Sequence, residues 1–236
     1  MSTADLPDPL VDLEPVDRCI LVDDVLVCAD LHLGLGPSAG LELPVGTGTR
    51  TVDRLETLLD RFEPAHLVVA GDILHAFDAV PFPVRDALKR LATITADRDI
   101  QTTLLAGNHD MQLEHHWEGG IQDTYQIGDT LVCHGHSQPD ITADRYVIGH
   151  EHPVLEVAGR RRPCYLAGTG AADGDGVVVL PAFSRLLRGV RLDELTAEGF
   201  MSPLLTDPGE LVPVVWDADA REPVTFPQLT DLQKRL

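Results

Sequence analysis

Short apolar runs alternate with helical-period segments through the first half of the chain. Residues 18–22 (RCILV) and 25–29 (VLVCA) flank Asp23-Asp24, the pattern of two strands joined by a tight turn. Over residues 49–62 (TRTVDRLETLLDRF), Val52, Leu55, Leu58, Leu59 and Phe62 recur every three or four positions, which predicts an amphipathic helix. HLVVAGD (66–72) reads as a buried strand. PVRDALKRLATIT (83–95) predicts a second helix that opens after proline, with Val84, Leu88 and Leu91 on one face. IQTTLLAGNHD (100–110) reads as a third strand.

Past Gly120 the period shortens to that of strands. YQIGDTLVCHGH predicts a hairpin turning at Gly128-Asp129, and YVIGHEHP, VLEVAG, PCYLAG and GVVVLPAF are further short strands. Arg160, Arg161 and Arg162 fall where a hairpin turn is expected. The last 40 residues carry weaker strand signals in LVPVVWDA and PVTF. The order, βαβαβ followed by antiparallel strands, points to one sandwich domain over residues 1–236 with helices outside.

Composition adds a compartment and a salt environment. The four cysteines (Cys19, Cys28, Cys133, Cys164) show no CxxC spacing, and three sit in apolar runs, as free cysteines of a reduced cytoplasmic protein do. No apolar run approaches the roughly 20 residues of a membrane helix. The N-terminal stretch, acidic and proline-rich, does not read as a signal peptide. Acidic residues number 38 against 18 basic, a net charge of −20, and only Lys89 and Lys234 are lysines. That surface is suited to a very salty, halophilic cytoplasm, where self-repulsion is screened.

Metal-capable residues collect at the strand ends. CADLHLG carries Asp30 and His32, AGDILH carries Asp72 and His75, and AGNHD carries Asn108, His109 and Asp110; CHGH and IGHEH supply His134, His136, His150 and His152. Residues i and i+2 at a strand end share a face, so Asp30 with His32, and His150 with His152, are placed to converge. Glycines at 71, 107, 135 and 149 allow sharp turns and close approach. A carboxylate, imidazole and amide set without thiolate favours manganese, iron or zinc over a cysteine-type zinc site. The donors outnumber what one tetrahedral ion takes and suit two ions sharing a carboxylate. Glu151 alternates away from its histidine neighbours, His66 fits a structural place, and His115 and His116 fit a solvated loop.

In order, DLH (30–32), GDILH (71–75), GNHD (107–110), HGH (134–136) and GHEH (149–152) resemble the signature of the calcineurin-like metallophosphoesterases. With LPAFS at 180–184, the layout is similar to archaeal Icc-like phosphoesterases, relatives of bacterial enzymes encoded beside a DNA ligase. The resemblance implies an α/β fold, a four-layer α/β/β/α sandwich of mixed sheets, with the motifs within 28–155 and further strands and a tail over 156–236. It implies two divalent ions, manganese first and iron, zinc or nickel as alternatives. Asp30, His32 and His152 would hold one, Asn108, His134 and His150 the other, with Asp72 bridging. His109, oriented by Asp110, would stand beside the leaving group, and His75 and His136 would serve as supporting or substrate-contacting residues. The implied reaction is hydrolysis of a phosphate ester, most plausibly a diester, by a metal-bridging hydroxide.

A DNA nuclease acting in repair is the alternative within this chemistry. The sequence shows no basic stripe for nucleic acid, and the glycine-rich stretch after DLH lacks aromatics for base stacking. Neither Arg nor Lys flanks GNHD to grip a monoester. A non-catalytic scaffold on the same fold is the reading from another class, opposed by the complete ligand set. The motifs specify neither a substrate nor an oligomeric state. The acidic surface predicts that the chain folds cooperatively only at high ionic strength; circular dichroism across a KCl series should show native ellipticity lost at low salt, and an intact fold in dilute buffer would contradict it.

Overall fold

The computed structural model describes residues 6–35, 47–75, 79–171, 175–195 and 199–234. Its first sheet follows chain order: β1 (Glu14–Val16), β2 (Cys19–Val22), β3 (Val25–Cys28), β4 (His66–Ala70), β5 (Gln101–Leu105) and β6 (Ile121–Gln122). The first three strands pair antiparallel, and β3 through β6 pair parallel. Parallel neighbours need a crossover, supplied by α1 (Thr47–Phe62) between β3 and β4 and by α2 (Phe82–Ala96) between β4 and β5. Most of the glycine-rich stretch after DLH, residues 36–46, lies outside the described residues.

The second sheet contains β7 (Thr124–Ile127), β8 (Thr130–Cys133), β9 (Arg145–Ile148), β10 (Pro153–Val157), β11 (Arg160–Gly168), β12 (Gly176–Val179), β13 (Val190–Arg191), β14 (Val212–Asp217) and β15 (Glu222–Thr225). The spatial order is β13-β10-β11-β12-β9-β8-β7, with β14 also on β11 and β15 on β14. Its centre is parallel, β8 with β9 and β9 with β12, where the sequence reads as consecutive antiparallel strands. The ten-residue-scale connection from β8 to β9 is long enough to return the chain to the same end of the sheet, so both strands deliver their following loops to one edge.

Three apolar layers hold the sandwich together. Val52, Leu55, Leu59, Val84, Leu88 and Leu91 bury against one face of the first sheet, each contributing about 1.5–3 kcal/mol on full burial. Between the sheets Ile20, Val27, Val68 and Leu105 meet Val132, Val147, Tyr165 and Val178. Leu131, Ile148, Val177 and Val179 face outward and are covered by Leu192, Leu204, Leu211 and Leu229. That outer cover is irregular chain and one short helix, α3 (Leu229–Gln233), so the fourth layer is thin. β8 is buried at all four positions, which explains its unbroken apolar run.

Both long helices lie within two residues of their predicted bounds, and the hairpin turns at Gly128-Asp129 as expected. Two placements differ. The turn between β10 and β11 falls at Ala158-Gly159, both with positive φ, so Arg160, Arg161 and Arg162 begin a strand. β1 forms within the acidic N-terminal segment because it pairs with β2 across the tight Asp17-Arg18 turn, a gain its own proline-rich sequence does not advertise. No described helix is long and apolar enough to cross a membrane.

Tyr165 joins the two sheets directly. Its ring is fully buried, and its hydroxyl donates to the Cys19 and Asp17 carbonyl oxygens at 2.5 and 3.2 Å. Tyr165→Phe should lower unfolding free energy by about 1–2 kcal/mol in urea titrations with little change in slope; unchanged stability would show that the bond contributes nothing net.

Candidate metal centre

The loops leaving β3 and β4 run side by side beyond the strands. Asp30 N–H donates to Gly71 O at 3.1 Å, His32 N–H to Asp72 O at 2.9 Å and Leu33 N–H to Ile73 O at 2.8 Å. The strands themselves end at Cys28 and Ala70, so the pleat does not aim the ligand candidates. Left-handed backbone does: φ is +60° at Asp30, +43° at His32, +48° at Asp72, +68° at His150 and +47° at His152. Non-glycine residues hold that conformation only where surrounding structure enforces it.

The result is a compact donor cluster. One ligand atom from each of Asp30, His32, Asp72 and His152 lies within 4.8 Å of the others. His152 Nε2 is 3.2 Å from Asp30 Oδ1, His32 Nε2 is 3.5 Å from Asp72 Oδ2, and the two Nε2 atoms are 3.4 Å apart. A second group adjoins it through Asp72: His134 Nε2 stands 3.4 Å from Asp72 Oδ1 and 3.1 Å from Asn108 Oδ1. Its Nδ1 faces the Ala70 carbonyl at 3.0 Å, which fixes the ring and leaves Nε2 for the centre. The His150 ring lies beside that of His134, centroids 5.0 Å apart, and its backbone N–H donates to Asp30 Oδ2 at 3.2 Å.

The remaining candidates surround these groups. His109 N–H donates to Asp72 Oδ1 at 3.0 Å, and its Nε2 is 3.9 Å from Asp72 Oδ2. Its ring, partly exposed at the mouth, stacks on His75 at 5.7 Å. His75 Nδ1 is 3.3 Å from His32 Nδ1. His136 lies 5.2 Å from His134, ring to ring, and lines a cavity of about 400 Å³ with Asp123, Ser137, Gln138 and Asp140. Those four polar loop residues carry no periodic signal and are identified only by position. His66 is structural, bonded to Thr103 and Tyr125 at 2.9 Å each.

Asp110 takes a backbone role. Its carboxylate accepts N–H bonds from Leu74 at 2.8 Å, Gly107 at 3.0 Å and Ile73 at 3.2 Å, so it ties the loop carrying His109 to the loop carrying Asp72. Glu151, also buried, accepts from Ser202 N–H at 2.6 Å and Met201 N–H at 2.8 Å and anchors the C-terminal segment beside the site.

Electrostatics suit cation binding. Burial disfavours charge on Asp30, yet His152, His134 and His32 outweigh it and hold the carboxyl below its usual value. Burial, against the pull of Asp30, brings His32 down to about 3, with His152, His75 and His109 adding to the effect. Burial and His134 bring His150 to about 4. These imidazoles are neutral near pH 7, the form that binds metal. Burial raises Asp110 to about 6 against the opposing backbone bonds, and Asp72 adds to the rise. Two buried carboxylates ringed by imidazole nitrogens, with no lysine or arginine paired to them among the described residues, fit divalent cations. Asp30, His32, Asp72 and His152 fit one divalent cation, and Asn108, His134 and His150 lie beside that group.

A sandwich with such a donor set at one edge is suited to metal-dependent chemistry. The pattern of the calcineurin-like phosphoesterase family matches residues 24–164, more than half of the chain, and the chain belongs to that family. Pseudomonas putida nuclease MPE, in its crystal structure, aligns over 88% of this chain and 92% of its own, with 25% identity and a TM-score of 0.59. YfcE, a phosphoesterase from E. coli, aligns over 86% of this chain and 97% of its own at 15% identity and a TM-score of 0.41. No curated protein sequence matches the chain.

Gly107 and Gly149 permit the close approach. A Cβ on Gly107 would collide with the backbone nitrogen and carboxylate of Asp72, and one on Gly149 would lie 2.7 Å from Asp30 Oδ2. Gly107→Ala should therefore lower stability by about 1–3 kcal/mol and reduce bound divalent metal, read by elemental analysis; full metal content would show that the Asp72 loop can move aside.

Proposed function

We propose that the chain is a two-metal phosphodiester hydrolase, and the observation that carries this is the shared position of Asp72 between the Asp30–His32–His152 and Asn108–His134–His150 groups. When bound, such ions lower the pKa of water toward about 7 and neutralise phosphoryl oxygens. The mixed donors favour manganese, with iron, zinc or nickel as further occupants. His109 stands at the open side of Asp72, placed to hold or give a proton at its ring nitrogen as the ester oxygen departs, and Asp110 keeps its loop in position. With no lysine or arginine paired to the central carboxylates among the described residues, the centre favours the single negative charge of a diester over the dianion of a monoester. A nuclease is the second reading, favoured by the likeness to Pseudomonas putida nuclease MPE over most of both chains.

The test is hydrolysis of a chromogenic phosphodiester beside its monoester, with manganese in molar KCl. Diester turnover should exceed monoester turnover and vanish with chelator. His109→Ala should keep both metals and lose about 10²–10⁴-fold in rate. Turnover that survives chelation, or a His109 variant stripped of metal, would overturn the assigned roles.

A further inference from the structure

A cation-rich cleft stands beside the metal centre of this acidic protein. It encloses about 520 Å³ between the first half of α1 and the turn after LPAFS, and is lined by Arg50, Thr51, Asp53, Arg54, Thr57 and Arg185. Its carboxylates do not balance its guanidinium groups. Asp17 serves both Arg54, at 3.0 Å, and Arg185, at 3.9 Å, while Asp53 pairs with Arg90 at 2.7 Å. Arg50 is exposed and forms no ion pair among the described residues, and the Arg185 side chain is 66% exposed.

Part of this cluster has a structural purpose. Arg18 donates to the Ala182 and Ser184 carbonyls at 2.9 and 2.8 Å, and Arg54 donates to Phe183 O at 2.8 Å while its guanidinium lies 3.8 Å over the Phe183 ring. These bonds fix the 182–184 turn. They do not explain Arg50 and Arg185, for the turn's carbonyls take their side-chain bonds from Arg18 and Arg54 among the described residues. The crowding is felt behind the cleft, where burial, Arg54 and Arg185 lower Arg18 to about 10 despite the nearby Asp17. Arg50 and Arg185 thus leave exposed guanidinium groups with little carboxylate around them, a surface open to an anion.

The cleft adjoins the reaction site by construction. Ser184 N–H donates to Asp30 O at 3.0 Å, so Arg185 follows the residue that holds a metal-ligand candidate's backbone. As the crossover between parallel β3 and β4, α1 presents its N-terminal turn to the edge where the strand ends carry the site; Gly48 there packs near Leu33, the neighbour of His32. No acidic side chain occupies the first turn of α1, so its positive end adds to the arginines.

We propose that the Arg50–Arg185 cleft binds a backbone phosphate of a nucleic-acid strand whose neighbouring phosphodiester lies at the metal centre. This rests on the reading of that centre as a phosphodiester hydrolase. Guanidinium forks match phosphate oxygens in pairs, and a strand with one phosphodiester at the centre offers further phosphates to the cleft. Such contacts position a strand without reading its sequence.

The probe is a fluorescein-labelled single-stranded DNA oligonucleotide with hydrolysis-resistant phosphorothioate linkages. Its binding to manganese-loaded protein is followed by anisotropy over the KCl range in which circular dichroism shows the fold intact. Arg50→Gln/Arg185→Gln should weaken binding about tenfold or more at the lowest salt. It should also reduce the slope of log K against log[KCl] by about 0.7, the contribution of one neutralised phosphate on a single strand. Arg160→Gln/Arg162→Gln removes the same charge from the exposed start of β11 and should leave affinity and slope unchanged. Absence of wild-type binding, an unaffected Arg50/Arg185 variant, or an equal loss in the β11 variant would each overturn the proposal. The chromogenic assay judges the hydrolase reading separately, because this binding measurement requires no turnover.

Discussion

Two carboxylates, Asp30 and Asp72, are almost completely withdrawn from water at one edge of the sandwich, and the site is built around that constraint. A buried unpaired carboxylate is costly enough to protonate or to disrupt the fold. Here imidazole nitrogens and backbone N–H groups surround both: His152 and the His150 N–H reach Asp30, while His32, His134 and the His109 N–H reach Asp72. The arrangement is self-consistent only if each residue arrives from its own strand at the correct depth, which is why so many take left-handed backbone angles.

That convergence depends on parallel pairing at the centre of both sheets. β3, β4 and β5 release their loops at one end, and β8 and β9 do the same in the opposing sheet. The interdigitated layer of Val27, Val68, Val132 and Val147 sets the separation between these edges. Residues outside the donor cluster then lock the rim. Asp110 ties two first-sheet loops together through backbone bonds, Glu151 secures Met201 and Ser202, and Arg18 and Arg54 hold the 182–184 turn against Ala29 and Asp30. Close packing makes such a rim sensitive to small displacements.

Charge is partitioned in space in a way the composition conceals. The chain is strongly acidic on average, yet Arg18, Arg50, Arg54 and Arg185 come together beside the centre from three separate parts of the sequence. In the opposite sense, Arg160, Arg161 and Arg162, adjacent in sequence, spread along an exposed strand start. Counting charges along a chain therefore misjudges the field that an approaching anion meets, since that field is set by which side chains share a surface.

By itself the sequence determined the elements whose signals are local. The helical period of α1 and α2, the apolar runs of β3, β4, β5, β8 and β9, and the motifs containing Asp30, Asp72, Asn108, His134 and His152 are all legible because backbone period and strand-end chemistry act over a few residues. What depends on distant pairing was decided only by the tertiary structure. β6 and β13 are short segments stabilised by partners well separated along the chain, and the parallel pairing of β8, β9 and β12 follows from where a long connection returns. The same holds for the left-handed turns that aim Asp30 and His32, the backbone bonds of Asp110, and the arginine cleft. None leaves a periodic trace, because each arises from the energy of contacts between residues that the chain separates and folding brings together.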